Sequence, residues 1–330
     1  LDDTGLRVSP IGLGLAALGR PGYINLGHAQ DLAPKVGREY DVAAMEAHTH
    51  EVLDAAWAGG VRYFDAARSY GRAESFLASW LATREIAPEA VTVGSKWGYT
   101  YTADWQVDAE VHEVKEHSLD VLQRQWTETQ QNLGAHLDLY QIHSATLKTG
   151  VLENAEVLDA LARLKEAGTA IGLTVSGPRQ EETVAKAIPI EVDGVRLFDT
   201  VQATWNLLER SVGPALAEAH AAGMGVLVKE TLANGRLTPR NEEPGFAVKM
   251  ALLVEQARRL GTTIDGLAIA AVLAQPWATI ALSGAARVDH LRSNVGALEV
   301  AWDEEAAESL KPLTEEPEAY WARRDELEWK

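Results

Sequence analysis

Four ionisable side chains stand at or just beyond the ends of short apolar runs. Asp65 closes Val61 to Phe64, Tyr70 follows five residues on, Lys96 closes Val91 to Ser95, and His143 closes Leu137 to Ile142. Together they are the parts of a proton-transfer site. A phenol with a pKa of about 10 is a poor acid at neutral pH, but an adjacent ammonium favours its phenolate. A carboxylate fixes that ammonium, and an imidazole orients a carbonyl or relays the proton. Taken singly, each has a plainer explanation: Asp65 and Lys96 as a buried ion pair, Tyr70 as a rim aromatic, His143 as a core histidine bonded to backbone. Their recurrence at the ends of successive runs argues for chemistry.

Such residues converge only if the runs are neighbouring strands. Eight runs read as strands: 10–16, 61–66, 91–96, 137–143, 170–175, 200–203, 225–229 and 279–282. Helical periodicity fills the intervals at 43–58, 74–84, 118–134, 155–167, 180–188, 212–222, 246–273 and 287–298. Gly59-Gly60, Gly134, Gly168 and Gly223 punctuate the helix-to-strand turns, where a left-handed C-cap is needed. Eight alternating units predict an α/β fold of the TIM (β/α)8 type, one domain spanning 1–330, with the 301–330 tail packed on the barrel. An open doubly wound sheet is disfavoured. Gly12-Leu13-Gly14-Leu15-Ala16-Ala17 lacks the third glycine of the dinucleotide turn, and a long irregular insertion follows instead of a helix. The segments 17–41 and 97–117 follow the first and third strands, so they belong at the C-terminal mouth, where barrel enzymes build their sites.

Composition narrows the partners. Lys plus Arg is 30 against 48 Asp plus Glu, a formal charge of −18, which repels phosphate backbones and anionic lipid. Nucleic acid and membranes are not expected partners, and any bound phosphate needs a local basic exception. With no cysteine there are no disulfides, thiolate metal sites or Cys nucleophile. The pairs His48/His50 and His112/His117 lack further ligands nearby and read as surface residues, so no metal is expected. The opening Leu1-Asp2-Asp3-Thr4 has neither a basic nor an apolar leader region, and the cytoplasm is the expected compartment.

Asp65-Ala66-Ala67-Arg68-Ser69-Tyr70-Gly71, Gly94-Ser95-Lys96 and Asp138-Leu139-Tyr140-Gln141-Ile142-His143 resemble the three signature segments of the aldo-keto reductase family. The start Thr4 to Gly14 is similar to that family's opening, where a short hairpin precedes strand one. Ile171 to Ser176, Val201 to Leu208 and Ser283 to Asn294 follow in the family's order, so the likeness runs from about residue 4 to 298. It implies NAD(P)H-dependent reduction of an aldehyde or ketone, with Tyr70 as general acid, Lys96 lowering its pKa, Asp65 holding Lys96, and His143 orienting the carbonyl.

The same resemblance places the nicotinamide carboxamide on Ser176 and Gln202. It places the pyrophosphate under the 229–235 loop with Leu232, and the adenosine end beside Gly284, Arg287 and Asn294. Arg287 would be the basic exception, at a helix start that already favours an anion. The expected cofactor is therefore NADP, with NAD possible. Three positions depart from the family pattern: Gly177 stands where Asn is common, Lys229 where an aromatic stacks on the nicotinamide, and Glu230 where a small polar residue is common. Trp205 is a candidate replacement for the stacking. Tyr23, Trp97 and Tyr99 are the candidate substrate walls, since aromatic faces suit sugars or planar carbonyl compounds. Three functions stay open: the reductase, an aldose 1-dehydrogenase running the same residues backwards, and a cofactor-sensing regulatory subunit. Oligomeric state is not legible.

Overall fold

The computed structural model describes Leu1, residues 4–37 and residues 40–329. Eight parallel strands close a barrel: β1 Ile11–Gly14, β2 Tyr63–Asp65, β3 Thr92–Trp97, β4 Leu137–Ala145, β5 Ala170–Val175, β6 Thr200–Thr204, β7 Gly225–Lys229 and β8 Ile280–Ser283. Closure is made by β1, where Leu13 pairs with Phe64 on one side and Ser283 on the other. All eight runs seen in the sequence are strands. Short apolar segments buried on both faces suit a parallel sheet wrapped by helices, and the main core lies between strands and helices.

Inside the barrel, Leu1, Tyr63, Leu139, Leu227, Ile280 and Leu282 form a separate apolar plug. In place of the hairpin implied by the resemblance, the described part of the N-terminus is a turn. Leu1 N donates to Leu6 O at 2.8 Å, and the Leu1 side chain packs into the plug. Gly94 permits a close approach here, because a Cβ at that position would run into the Tyr63 hydroxyl.

The helical reading of 246–273 needs correction. Two helices, Ala247–Arg259 and Ile264–Leu273, are separated by Gly261 at φ +66°, with the Thr263 hydroxyl capping the second by accepting from Gly266 N at 3.1 Å. A left-handed glycine ends one helix and a threonine N-cap starts the next. The insertion after β1 is less irregular than its sequence suggests and contains a helix, His28–Val36. The segment after β3 forms a hairpin, Tyr99–Tyr101 with Glu113–Lys115. The tail carries helices Glu304–Ser309 and Pro317–Asp325. Its Tyr320 and Trp321 join a second core with Leu253, Leu267 and Ala271 of the two split helices. No helix among the described residues is long and apolar enough to cross a membrane.

Candidate active site

Asp65 ends β2 with every acceptor engaged. Its Oδ1 accepts from the Tyr63 hydroxyl at 3.0 Å, Gln202 Nε2 at 3.2 Å and Gln141 Nε2 at 3.3 Å, and its Oδ2 forms the ion pair with Lys96 Nζ. Lys96 also donates to Ala66 O at 2.8 Å and is 1% exposed. This buried pair is hydrogen-bonded on both sides, the condition under which two charges survive in a barrel interior. Burial pushes the Lys96 ammonium below its ordinary range, and Asp65 opposes that shift.

Tyr70 follows β2 and presents its ring face to Lys96, whose Nζ lies 4.7 Å from the ring centroid. Its phenol is pushed far up, first by burial and then by the Asp65 charge, with Arg20 pulling the other way. The balance of these influences favours the neutral phenol, which holds its proton. His143 sits at a kink in β4: the register with β5 breaks between Ile142 and Ala145, and Ser144 takes φ +55°. Thr174 Oγ1 locks that kink by accepting from Ser144 N at 2.7 Å. A local bend of this kind re-aims a strand-end side chain. His143 meets Tyr70 edge-on at 5.4 Å and Tyr99 at 4.9 Å. Burial, then the charges of Lys96, Arg20 and Lys229, keep its imidazole neutral.

Asp65, Tyr70 and His143 floor a cavity of 610 Å³ that also reaches residues of the turn after β8, with Lys96 buried behind them. Of the other residues anticipated from the sequence, Ser176, Gln202, Lys229, Leu232, Gly284, Asn294, Tyr23 and Tyr99 line it. Three do not. Trp97 is fully buried in the main core and packs edge-on against His117 at 5.6 Å. It follows the inward Lys96, so strand alternation turns it outward. Trp205 likewise packs on Trp277 at 5.7 Å and cannot stack on a cavity ligand. Arg287 stands outside the cavity with its guanidinium on Asp289, at 2.8 and 2.9 Å.

The histidines read as surface residues also need correction. His48 is 5% exposed and bonded to Ala286 O, His50 bonds Ser79, and His117 Nε2 donates to the His143 carbonyl at 2.9 Å. His112 is half-buried and stacks on Trp329.

Arg20 and Arg324 line the cavity with no counterpart in the sequence reading. Arg20, 3% exposed, donates to Ser69 O and Glu113 Oε2, both at 2.9 Å, and its guanidinium lies 5.2 Å from the Tyr70 ring and 4.6 Å from the Trp329 ring. Glu230, one of the departures from the family pattern, is held by Arg324 from the tail at 2.6 to 3.0 Å, with Lys229 Nζ at 3.9 Å. Burial alone would push the Glu230 carboxyl up, but Arg324 and Lys229 hold it down at about 2. Lys229 itself is lowered to about 8, chiefly by burial. Across the mouth, Leu26 N donates to Asn234 O at 3.0 Å, so the insertion after β1 meets the loop after β7. That loop holds Glu230, Ala233 and Asn234 at positive φ, strain of the sort that accumulates where a fold must clamp something.

The Aldo/keto reductase family profile matches residues 10–315. The chain belongs to that family. It is similar to the aldo-keto reductase ausK of Emericella nidulans, 23% identical over 94% of this chain and 79% of that protein. The uncharacterized oxidoreductase YrpG of Bacillus subtilis is 26% identical over 97% of this chain and 98% of its own length. Among solved structures, an aldo-keto reductase from Bacillus halodurans in its holo form superposes with a TM-score of 0.71 at 19% identity, covering 96% of this chain and 95% of that one. A glycerol dehydrogenase from Gluconobacter oxydans superposes with a TM-score of 0.71 at 20% identity, covering 95% and 94%. The solved structures share the closed barrel, and membership of the family makes the chain an oxidoreductase of a kind that works with a nicotinamide cofactor.

The residues present fit such a cofactor. The turn after β8 brings backbone to the cavity at Gly284, where a Cβ would meet nothing within 4 Å, and the helix Val288–Val295 starts beside it. Loops after the last two barrel strands and a nearby helix start form the usual phosphate site of this fold. Asn234 Oδ1, a buried acceptor without a partner, also lines the cavity, where a ribose hydroxyl rather than a phosphate would suit it.

Proposed function

We propose that this aldo-keto reductase reduces an aldehyde or ketone to an alcohol, with Tyr70 as general acid. A nicotinamide cofactor held along the cavity would supply the hydride. Ser176 and Gln202 at the ends of β5 and β6 would face its carboxamide. Leu232 and Gly284 would face its phosphates, and Asn294 its adenosine.

The observation that carries this reading is the pairing of a protonated Tyr70 with a neutral His143 on the cavity floor, backed by the buried Lys96–Asp65 pair. The neutral imidazole donates a hydrogen bond to the substrate carbonyl and fixes its direction. As negative charge develops on that oxygen, the Tyr70 hydroxyl gives up its proton, and the Lys96 ammonium stabilises the phenolate left behind. Asp65 keeps Lys96 charged and in place. The proton needed for the alcohol therefore comes from Tyr70 and no metal is required.

The aldose dehydrogenase alternative draws support from the aromatic and polar wall of Tyr23, Tyr99, Trp329, Arg20 and Glu113. It needs Tyr70 to lose its proton before the reaction, which burial opposes. Tyr70→Phe is the test. Turnover of carbonyl substrates should fall on the order of 10²- to 10⁴-fold, with cofactor affinity, read by tryptophan fluorescence, unchanged. Retention of most activity would overturn the assignment.

A further inference from the structure

We infer that the cavity selects NAD(H) over NADP(H), and that Asp31 sets that choice. The inference rests on the cofactor reading above and deepens it. With the reacting ring placed at Tyr70 and the two phosphates at Gly284, the adenosine ribose would fall at the part of the cavity lined by Asp31, Arg240, Asp265, His290 and Asn294.

A 2′-phosphate brings a charge of roughly −1.5 to −2 at neutral pH and needs free cationic donors. The guanidiniums at this end are already committed. Arg240 is bidentate on Asp31 and also donates to Gly27 O at 3.0 Å. Arg287 is bidentate on Asp289, with its Nε 3.9 Å from Asp31, and it stands outside the cavity. His290 Nδ1 lies 3.8 Å from the same Asp31 carboxylate. Three carboxylates, those of Asp31, Asp265 and Asp289, thus face or flank this part of the cavity against two guanidiniums and one imidazole. An added phosphate would have to displace an aspartate from its arginine.

Asp31 is 4% exposed, so its field acts through protein more than water. Each of its oxygens accepts from Arg240 and retains a further lone pair. A ribose 2′-hydroxyl can donate to that lone pair, as a carboxylate does in other NAD sites. The expectation of NADP drawn from the sequence leaned on Arg287, which Asp289 neutralises. The net charge of −18 acts in the same direction.

The test is titration of the purified chain with NADH and with NADPH at fixed ionic strength, following quenching of its ten tryptophans. NADH should bind at least about tenfold more tightly, the scale of one charged hydrogen bond gained and one repulsion avoided. In Asp31→Ser the NADPH-to-NADH affinity ratio should rise by about the same factor, whereas Asp31→Glu, which keeps the charge, should leave NADH preferred. The ratio separates specificity from a merely structural role, because loosening this part of the cavity weakens both nucleotides alike. Equal or tighter NADPH binding by the unaltered chain overturns the preference. An unchanged ratio in Asp31→Ser overturns the assignment to Asp31. Failure of both nucleotides to bind folded protein overturns the cofactor reading itself, and this inference with it.

Discussion

Arg324→Ala tests how the tail is fastened. Glu230 is 7% exposed as a side chain and accepts three hydrogen bonds from Arg324, 94 residues away. Its carboxyl is held at about 2 against an ordinary 4.5. At about 1.36 kcal/mol per tenfold change in ionisation, that difference corresponds to about 3 kcal/mol of folding stability. Removing one partner of a buried pair costs about 3 to 5 kcal/mol by an independent route, because the other charge stays buried and uncompensated. Because the folded carboxyl is depressed, its contribution is complete above about pH 4.5 and drains away as pH falls toward about 2. Urea unfolding at pH 7 should therefore show Arg324→Ala weaker than the parent by about 3 kcal/mol, and the gap should narrow steadily below pH 4.5. Arg324→Lys, which keeps one charge without the fork, should fall between. A loss below about 1 kcal/mol at pH 7, or a gap independent of pH, would refute the reasoning and mean that water screens the pair as at an exposed surface.

Other consequences are simpler. Lys229, lowered to about 8 by burial, should lend the cavity positive charge only below that pH. Nucleotide affinity should then fall as pH rises through about 8, and Lys229→Met should flatten the profile, both read by fluorescence titration. Trp97 lies outside the cavity and Tyr99 lines it, so Trp97→Phe should lower the melting temperature with KM unchanged, whereas Tyr99→Ala should raise KM for the carbonyl substrate several-fold with little change in melting. Trp329→Ala should remove the ring over Arg20 and raise KM more than it lowers kcat, as steady-state kinetics would show.

The barrel was legible because each strand–helix unit repeats the same local logic: a short run of β-branched and apolar residues, a helical stripe, a glycine at the turn. Where that logic failed, the cause is physical. Gly261-Thr262-Thr263 interrupts a stretch whose apolar periodicity continues on both sides, so spacing alone joined two helices. The helix His28–Val36 follows Gly27 with no side-chain cap, which left no start signal to read. The four residues proposed to carry the chemistry were visible because Asp65, Lys96 and His143 lie at or near strand ends, with Tyr70 in the loop beyond β2, and strand ends converge in a barrel. Trp97 was taken as part of the aromatic loop after β3, but it still belongs to that strand, where alternation after the inward Lys96 turns it into the core; Trp205 was offered for a missing stacking ring, but its ring packs on Trp277. Arg20, Arg324 and the Asp31–Arg240 pair carried no local signature. Their partners lie 49 to 209 residues away in the chain and are brought close only by the fold.

That division has a functional consequence. The groups proposed to move the proton come from β2, β3 and β4 and, for Tyr70, the short loop after β2, close to strands that any chain with this barrel must form to close. The groups that shape the rest of the cavity come from three segments outside the repeat: the insertion after β1, the loop after β7, and the tail, whose Arg324 and Trp329 lie beyond the residues 10–315 matched to the family. These segments hold one another. Asn234 is bonded to Ile24, Arg240 to Asp31, and Glu230 to Arg324, while Trp329 packs against Tyr23 and Arg20. A substitution in any one of them is therefore felt by the other two, and such positions are the least expected to behave additively. Substrate preference in this chain should accordingly be sought in pairs of changes across these contacts, measured as double-mutant cycles on KM, more than in single replacements on the barrel floor.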